Sequence, residues 1–136
     1  MDTFHVNILA ADKRFYEGPC ESLVISTSQG QVGILAHHSN IIAAIIPGAL
    51  KYRIPGGTDQ IAAVSRGFIK VEDNDVLILA DTIERPEEID ANRAQREIDE
   101  AQEIILQKKS IQSYKSAQAR MARAINRLRI KAQQVD

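Results

Sequence analysis

Phe68-Ile69-Lys70-Val71, Glu72-Asp73-Asn74-Asp75 and Val76-Leu77-Ile78-Leu79-Ala80 run on without a break and read as strand, turn and strand. Shortly after, at Ala91, Ala94, Ile98, Ala101 and Ile105, the apolar residues recur at spacings of 3, 4, 3 and 4. The first pattern suits a pleated strand, and the second lays one stripe along a helix. Glycine and proline mark the same change. All 7 glycines and three of the 4 prolines precede residue 70, and Pro86 is followed by 50 residues with neither. The boundary therefore falls near residues 84–88, with a strand-rich part over 1–84 and a helical part over 85–136.

Upstream of this stretch, Phe4 to Leu9, Leu23 to Thr27 and Val32 to Leu35 have strand character. The apolar run Ile41 to Ile46 reads as a strand closed by Pro47-Gly48, with Leu50 to Ile54 as a separate one. Gln60 to Val64 follows across Pro55-Gly56-Gly57, a hairpin loop by its glycines. Short strands with turn residues between them, and no helices interleaved, predict an antiparallel sandwich or flattened barrel rather than a parallel βαβ sheet.

Downstream, Tyr114, Ala117, Met121, Ala124 and Leu128 repeat the 3, 4, 3, 4 spacing after Lys108-Lys109-Ser110. Two amphipathic helices on a short turn predict an antiparallel hairpin. The fold class is thus α+β, mainly β: a sandwich followed by a helical hairpin. Alanine lets the helix axes approach but buries little area, at about 25 cal/mol per Å², so the hairpin is expected to be marginal alone.

The formal net charge of −1 hides a strong polarity. Residues 84–105 carry 8 acidic and 3 basic side chains, whereas 106–136 carry 8 basic and one acidic. Side by side the two helices attract. The basic residues Lys115, Arg120, Arg123 and Arg127 admit three readings: a solvated face paired with the first helix, a docking face for an acidic protein surface, or a nucleic-acid contact. The last would expect stacking aromatics, and the second helix has only Tyr114. A free-standing β-domain with a basic arm for RNA is the alternative that this reading leaves open.

Catalytic signals are sparse. Cys20 is the sole cysteine, so neither an internal disulfide nor a cysteine-based zinc site is available within the chain. His37-His38 has no nearby carboxylate or thiol to complete a metal shell, and loop histidines are the simpler reading. No nucleophile elbow, Walker loop or dinucleotide fingerprint is present. No apolar run reaches the roughly 20 residues of a spanning helix, and no secretory leader is evident at the N-terminus, which points to an intracellular soluble protein. One constellation has binding character. Arg123 and Arg127, at i and i+4, share a helix face and suit phosphate oxygens. Arg93 reaches the same region if the hairpin closes.

Gly30-Gln31-Val32-Gly33-Ile34-Leu35, Arg66-Gly67-Phe68 and the hexapeptide Ile89-Asp90-Ala91-Asn92-Arg93-Ala94 together make the chain resemble, along its whole length, the epsilon subunit of the bacterial F-type ATP synthase. Alanine stands at 36 and asparagine at 40 where that family commonly has proline, and Arg66 replaces a glycine. The resemblance implies a non-catalytic rotor subunit of the central stalk in a proton- or sodium-translocating complex. Its β-domain would dock on the gamma subunit and the rotor c-ring. Its hairpin would permit ATP hydrolysis when folded, and brake it when extended toward the alpha and beta subunits. The implied place is the cytoplasmic face of the cell membrane, reached only through the complex, with no nucleic acid and no required cofactor or metal. ATP is implied as a regulatory ligand at Glu84, Ile89, Asp90, Arg93, Ala94, Arg123 and Arg127. Arg123 and Arg127 would take the phosphates. Glu84 and Asp90 would accept hydrogen bonds from the adenine amino group or ribose, and Ile89 and Ala94 would touch the base. At Glu100 a further arginine of some ATP-binding members is replaced. The competing reading of the hexapeptide is a helix start capped by Asp90.

Overall fold

The structure, a computed structural model, describes residues 2–107 and 110–133. It divides into two compact units, Met1–Glu84 and Arg85–Asp136. In the first unit lie β1 (Phe4–Ala10), β2 (Arg14–Cys20), β3 (Ser22–Thr27), β4 (Gly30–Leu35), β5 (Ile41–Arg53), β6 (Asp59–Val64), β7 (Gly67–Glu72), β8 (Asp75–Ala80) and β9 (Ile83–Glu84). They pair in the order β2-β1-β8-β7-β5-β3-β4, with β6 joining β5 to β9.

The stretch at Pro47-Gly48 corrects the sequence reading. β5 runs through it as one strand of 13 residues. Its first half, Ile41 to Ile45, pairs with β7, and its second, Gly48 to Arg53, pairs with β6. Along β3 the register jumps at the same place, with Ile25 opposite Leu50 but Thr27 opposite Ile45. Ile46 and Pro47 fall inside this bulge. A proline has no N–H to give a ladder, so a bulge is where a strand tolerates it. The residues that suggest a strand end therefore mark the bend at which the sheet turns over on itself.

Two further differences have similar causes. β2 contains Gly18 and Pro19, which hide it in sequence, but it pairs with β1 alone and so is an edge strand, where proline is allowed. β1 pairs with β8 in parallel, Val6 opposite Val76 and Ile8 opposite Ile78, within an otherwise antiparallel ladder. Strand periodicity carries no information on direction, and these partners lie far apart in the chain.

The alternation read from the sequence does set the core. Phe4, Val6 and Ile8 of β1, Ile69 and Val71 of β7, and Val76 and Ile78 of β8 face inward. They share one cluster with Leu23 and Ile25, Ile34, Leu50 and Tyr52, and Ala62 and Val64 from the other layer. At the β7–β8 turn Asp73 and Asn74 both have positive φ, at 51° and 65°, as a tight primed hairpin requires. Asn74 also ties distant segments together. Its Oδ1 accepts from His37 N–H at 2.6 Å, and its Nδ2 donates to the Thr3 carbonyl at 3.0 Å.

The second unit opens with a 3-10 turn at Pro86–Glu88. Pro86 suits a first helical position, and Glu88 closes the turn by accepting from Arg85 N–H at 3.0 Å. α1 (Ala91–Gln107) and α2 (Ile111–Ala132) follow. Ser110 caps α2 by accepting from Ser113 N–H at 3.0 Å. The turn expected at Lys108-Lys109 lies outside the described residues. Ala94, Ile98 and Ala101 of α1 are buried, as are Ala117 and Ala124 of α2, while Met121 and Leu128 pack against that seam. α2 buries a second strip that the single stripe missed, Asn126 and Ile130. The last turn of α2 lies against the 3-10 turn, where Lys131 Nζ donates to the Pro86 carbonyl at 3.0 Å.

At Gly67 a methyl group would collide with the carbonyl of Leu79 and come within 2.7 Å of Ala80 Cα. Because those are backbone atoms of a paired strand, they cannot swing aside. Gly67→Ala is expected to destabilise the chain by more than about 2 kcal/mol, read as a lower urea midpoint.

Candidate nucleotide site on the helical hairpin

Asp90 starts α1. Its Oδ1 accepts from Arg93 N–H at 3.1 Å, and its carbonyl accepts from Ala94 N–H at 3.0 Å. This arrangement satisfies donors left open at a helix N-terminus and places a negative charge where the helix dipole favours one. The cap fixes the phase of the helix. Ala94 consequently turns inward to the seam, and Arg93 turns outward with its side chain 65 % exposed.

Three contacts track the antiparallel course of the helices. Lys131 reaches Pro86, Arg127 Nη1 lies 3.4 Å from Glu97 Oε2, and Arg120 Nη2 lies 3.3 Å from Glu100 Oε2. The partner number falls along α2 as it rises along α1. Arg93 Nε sits 3.6 Å from the other oxygen of Glu97, one turn away on the same helix. The two arginines expected to share a region thus do so, and the group that joins them is Glu97, absent from the sequence-based set. Its signal was available: a glutamate at i+4 from Arg93, on the helix facing the basic one.

The other expected residues divide by location. Arg123 is half-buried on α2, one turn before Arg127, and Ile89 is buried just ahead of Asp90. Lys115 is exposed near the start of α2. Glu84 lies in the first unit, at the end of β9, where it pairs with Ala63. Glu100, where a further arginine would strengthen a phosphate site, is engaged with Arg120.

A family model described as the beta-sandwich domain of the ATP synthase Delta/Epsilon chain matches residues 3–86. A second, described as its long alpha-helix domain, matches residues 87–132. The chain belongs to the ATP synthase delta/epsilon family. Among similar members, the ATP synthase epsilon chain of Caldanaerobacter subterraneus is 40% identical over 129 residues, covering 94% of this chain and 93% of its own. That of Ruminiclostridium cellulolyticum is 37% identical over 128 residues, covering 94% and 95%. In fold the chain resembles one from the Euglena gracilis mitochondrial ATP synthase, solved with OSCP, F1 and the c-ring. There the TM-score is 0.80 at 22% identity, over 91% of this chain and 78% of that one.

Outside the hairpin, the other sequence candidates have local structural settings in this family member. His37 is exposed and His38 half-buried, and their rings engage different partners: His37 Nε2 lies 3.5 Å from Asp2 Oδ2, and His38 Nδ1 lies 2.6 Å from the Ser39 carbonyl. Among the described residues, no group of three or more His, Cys, Asp or Glu side chains is placed to hold a metal ion. No described helix is long and apolar enough to cross a membrane. Cys20 is buried, with its Sγ donating to the Ser22 carbonyl at 3.1 Å. Burial pushes its pKa above the ordinary 9.0, the direction that suppresses the nucleophilic thiolate.

Two measurements check these assignments. Asp90→Ala is expected to cost about 1 kcal/mol through loss of the cap, and Asp90→Asn only a few tenths, read from thermal melts by circular dichroism. Cys20 holds its proton more tightly folded than unfolded, so its contribution to stability is whole below the unfolded thiol value and is lost as pH rises through the folded one. Urea midpoints should therefore fall as pH rises past the ordinary thiol value of 9.0, with a shallower fall in Cys20→Ala.

Proposed function

We propose that the chain is a non-catalytic rotor subunit of an F-type ATP synthase, in which the whole complex is the enzyme. Its β-sandwich docks on the gamma subunit and the c-ring and carries torque between ring and catalytic head. Its hairpin regulates hydrolysis: closed, it permits the reaction, and extended along gamma toward the alpha and beta subunits, it brakes it. The chain sits at the cytoplasmic face of the cell membrane through the complex alone. Proton or sodium translocation belongs to that complex.

The observation that carries this reading is the composition of the helix–helix seam. Among the described residues its cluster is Ala94, Ile98 and Ala124, with Met121 and Leu128 packed beside it, and Ala101 and Ala117 are buried along the same helices. Alanines bury little area, and ion pairs such as Arg120–Glu100 contribute about 0–1 kcal/mol where solvent screens them. A contact of this kind is strong enough to form and weak enough to exchange. The basic residues Lys115, Arg120, Arg123 and Arg127 are then available to acidic surface on a catalytic subunit once α1 is released.

ATP biases the exchange toward the closed state. Arg123 and Arg127 take its phosphates together with Arg93, while Asp90 accepts from the adenine amino group or ribose and Ile89 and Ala94 meet the base. Because the ligand requires both helices together, it stabilises only the closed hairpin, by about 2.7 kcal/mol at 100 times its Kd.

Adding the chain back to a synthase lacking its epsilon subunit tests the reading. The full chain is expected to inhibit ATP hydrolysis several-fold more than a 1–84 fragment that restores coupling equally well. Equal inhibition by the two would remove regulation from the hairpin.

A further inference from the structure

The Glu97 carboxylate lies between guanidinium groups of two different helices. Its Oε1 is 3.6 Å from Arg93 Nε and its Oε2 is 3.4 Å from Arg127 Nη1. Glu97 and Arg127 are 27 % and 19 % exposed at their side chains, so solvent screens this contact less than the Arg120–Glu100 pair, at 37 % and 64 %. Closing the hairpin brings two like charges, Arg93 and Arg127, into one neighbourhood, which opposes closure. A carboxylate with one oxygen toward each turns that repulsion into attraction.

A nucleotide phosphate would occupy the same relation to the same guanidinium N–H groups. Planar guanidinium forks bind carboxylate and phosphate alike, and each N–H can be given to only one acceptor at full strength. A polyphosphate entering beside an ionised Glu97 would also meet a like charge. We infer that Glu97 is a built-in competitor of the nucleotide phosphates: it holds the empty hairpin closed through Arg93 and Arg127 and must release both arginines for ATP to bind. This rests on the nucleotide reading above and adds to it what sets the concentration at which ATP acts. Glu97 makes closure possible without ATP and so raises the ATP level at which the nucleotide takes over.

The competitor role predicts two effects of opposite sign for the isosteric change Glu97→Gln. Losing the carboxylate charge removes the attraction that Glu97 gives to Arg93 and Arg127, so the thermal midpoint of the full chain without ATP falls. The vacated guanidinium groups bind phosphate more readily, so calorimetric titration gives ATP binding about tenfold tighter than in the unaltered chain. A merely structural Glu97 would move both readouts together. A less populated closed hairpin raises the apparent Kd for a ligand that binds only that state.

A lower midpoint with tighter ATP binding supports the proposal, as does saturable binding in Glu97→Gln where the unaltered chain has none. Unchanged or weaker binding in Glu97→Gln, with saturable binding in the unaltered chain, overturns it and leaves the nucleotide reading in place. No binding by either chain up to millimolar ATP removes the nucleotide reading and this inference with it. Should Glu97→Gln leave the hairpin unfolded, Glu97→Asp carries the test. Its carboxylate is withdrawn by one methylene, and the same two shifts are expected at smaller size; their absence overturns the proposal.

Discussion

Proline has no backbone N–H to donate, and the arrangement of the β-unit turns on where that omission falls. Pro47 stands in the middle of β5, which without it would be one continuous member of one flat ladder. The bulge that accommodates it shifts the register against β3 and ends the pairing with β7, and beyond it β6 takes over as the neighbour. One strand thereby belongs to both layers. The inward residues of β1, β7 and β8 can then meet those of β3, β4 and β6 in a single core. The close approach of Gly67 to Leu79 belongs to the same region, because Gly67 pairs with Ile45 at the end of the first half of β5.

The helical unit is built on a different economy. Its seam is built on alanines around Ile98, with Met121 and Leu128 at the margin, and its cross-helix contacts include charged pairs at Arg127–Glu97 and Arg120–Glu100. Cores of Ile, Leu and Val are hard to open because each side chain withdrawn from contact costs one or more kcal/mol. Alanine withdraws little, and an ion pair can be exchanged for water or for another ion. That composition is what the proposed exchange of partners by the hairpin rests on.

Legibility in the sequence followed the range of the interaction. The alternation in Phe4 to Leu9, the Asp73-Asn74 turn and the spacing of Ala94, Ile98 and Ala101 all reflect neighbours within a few residues, and each element forms where it was expected. The Asp90 cap was readable for the same reason. What misled was punctuation without context. Pro47-Gly48 and Gly18-Pro19 look alike as breakers, but one is a bulge within a strand and the other lies on an edge. Only the pairing of distant strands separates those cases from a true end. Glu97 was overlooked because its role depends on Arg127, which lies on the opposite helix.

By itself, then, the sequence determined the two-part division, the period of each part, the faces turned inward and the opposite charges of the two helices. These follow from local geometry and the patterning of side chains. Tertiary structure alone decided that β1 and β8 run parallel, that β5 serves two layers, and that one carboxylate stands between Arg93 and Arg127. Direction, partner exchange and three-body electrostatics arise only when residues far apart in the chain come within contact distance.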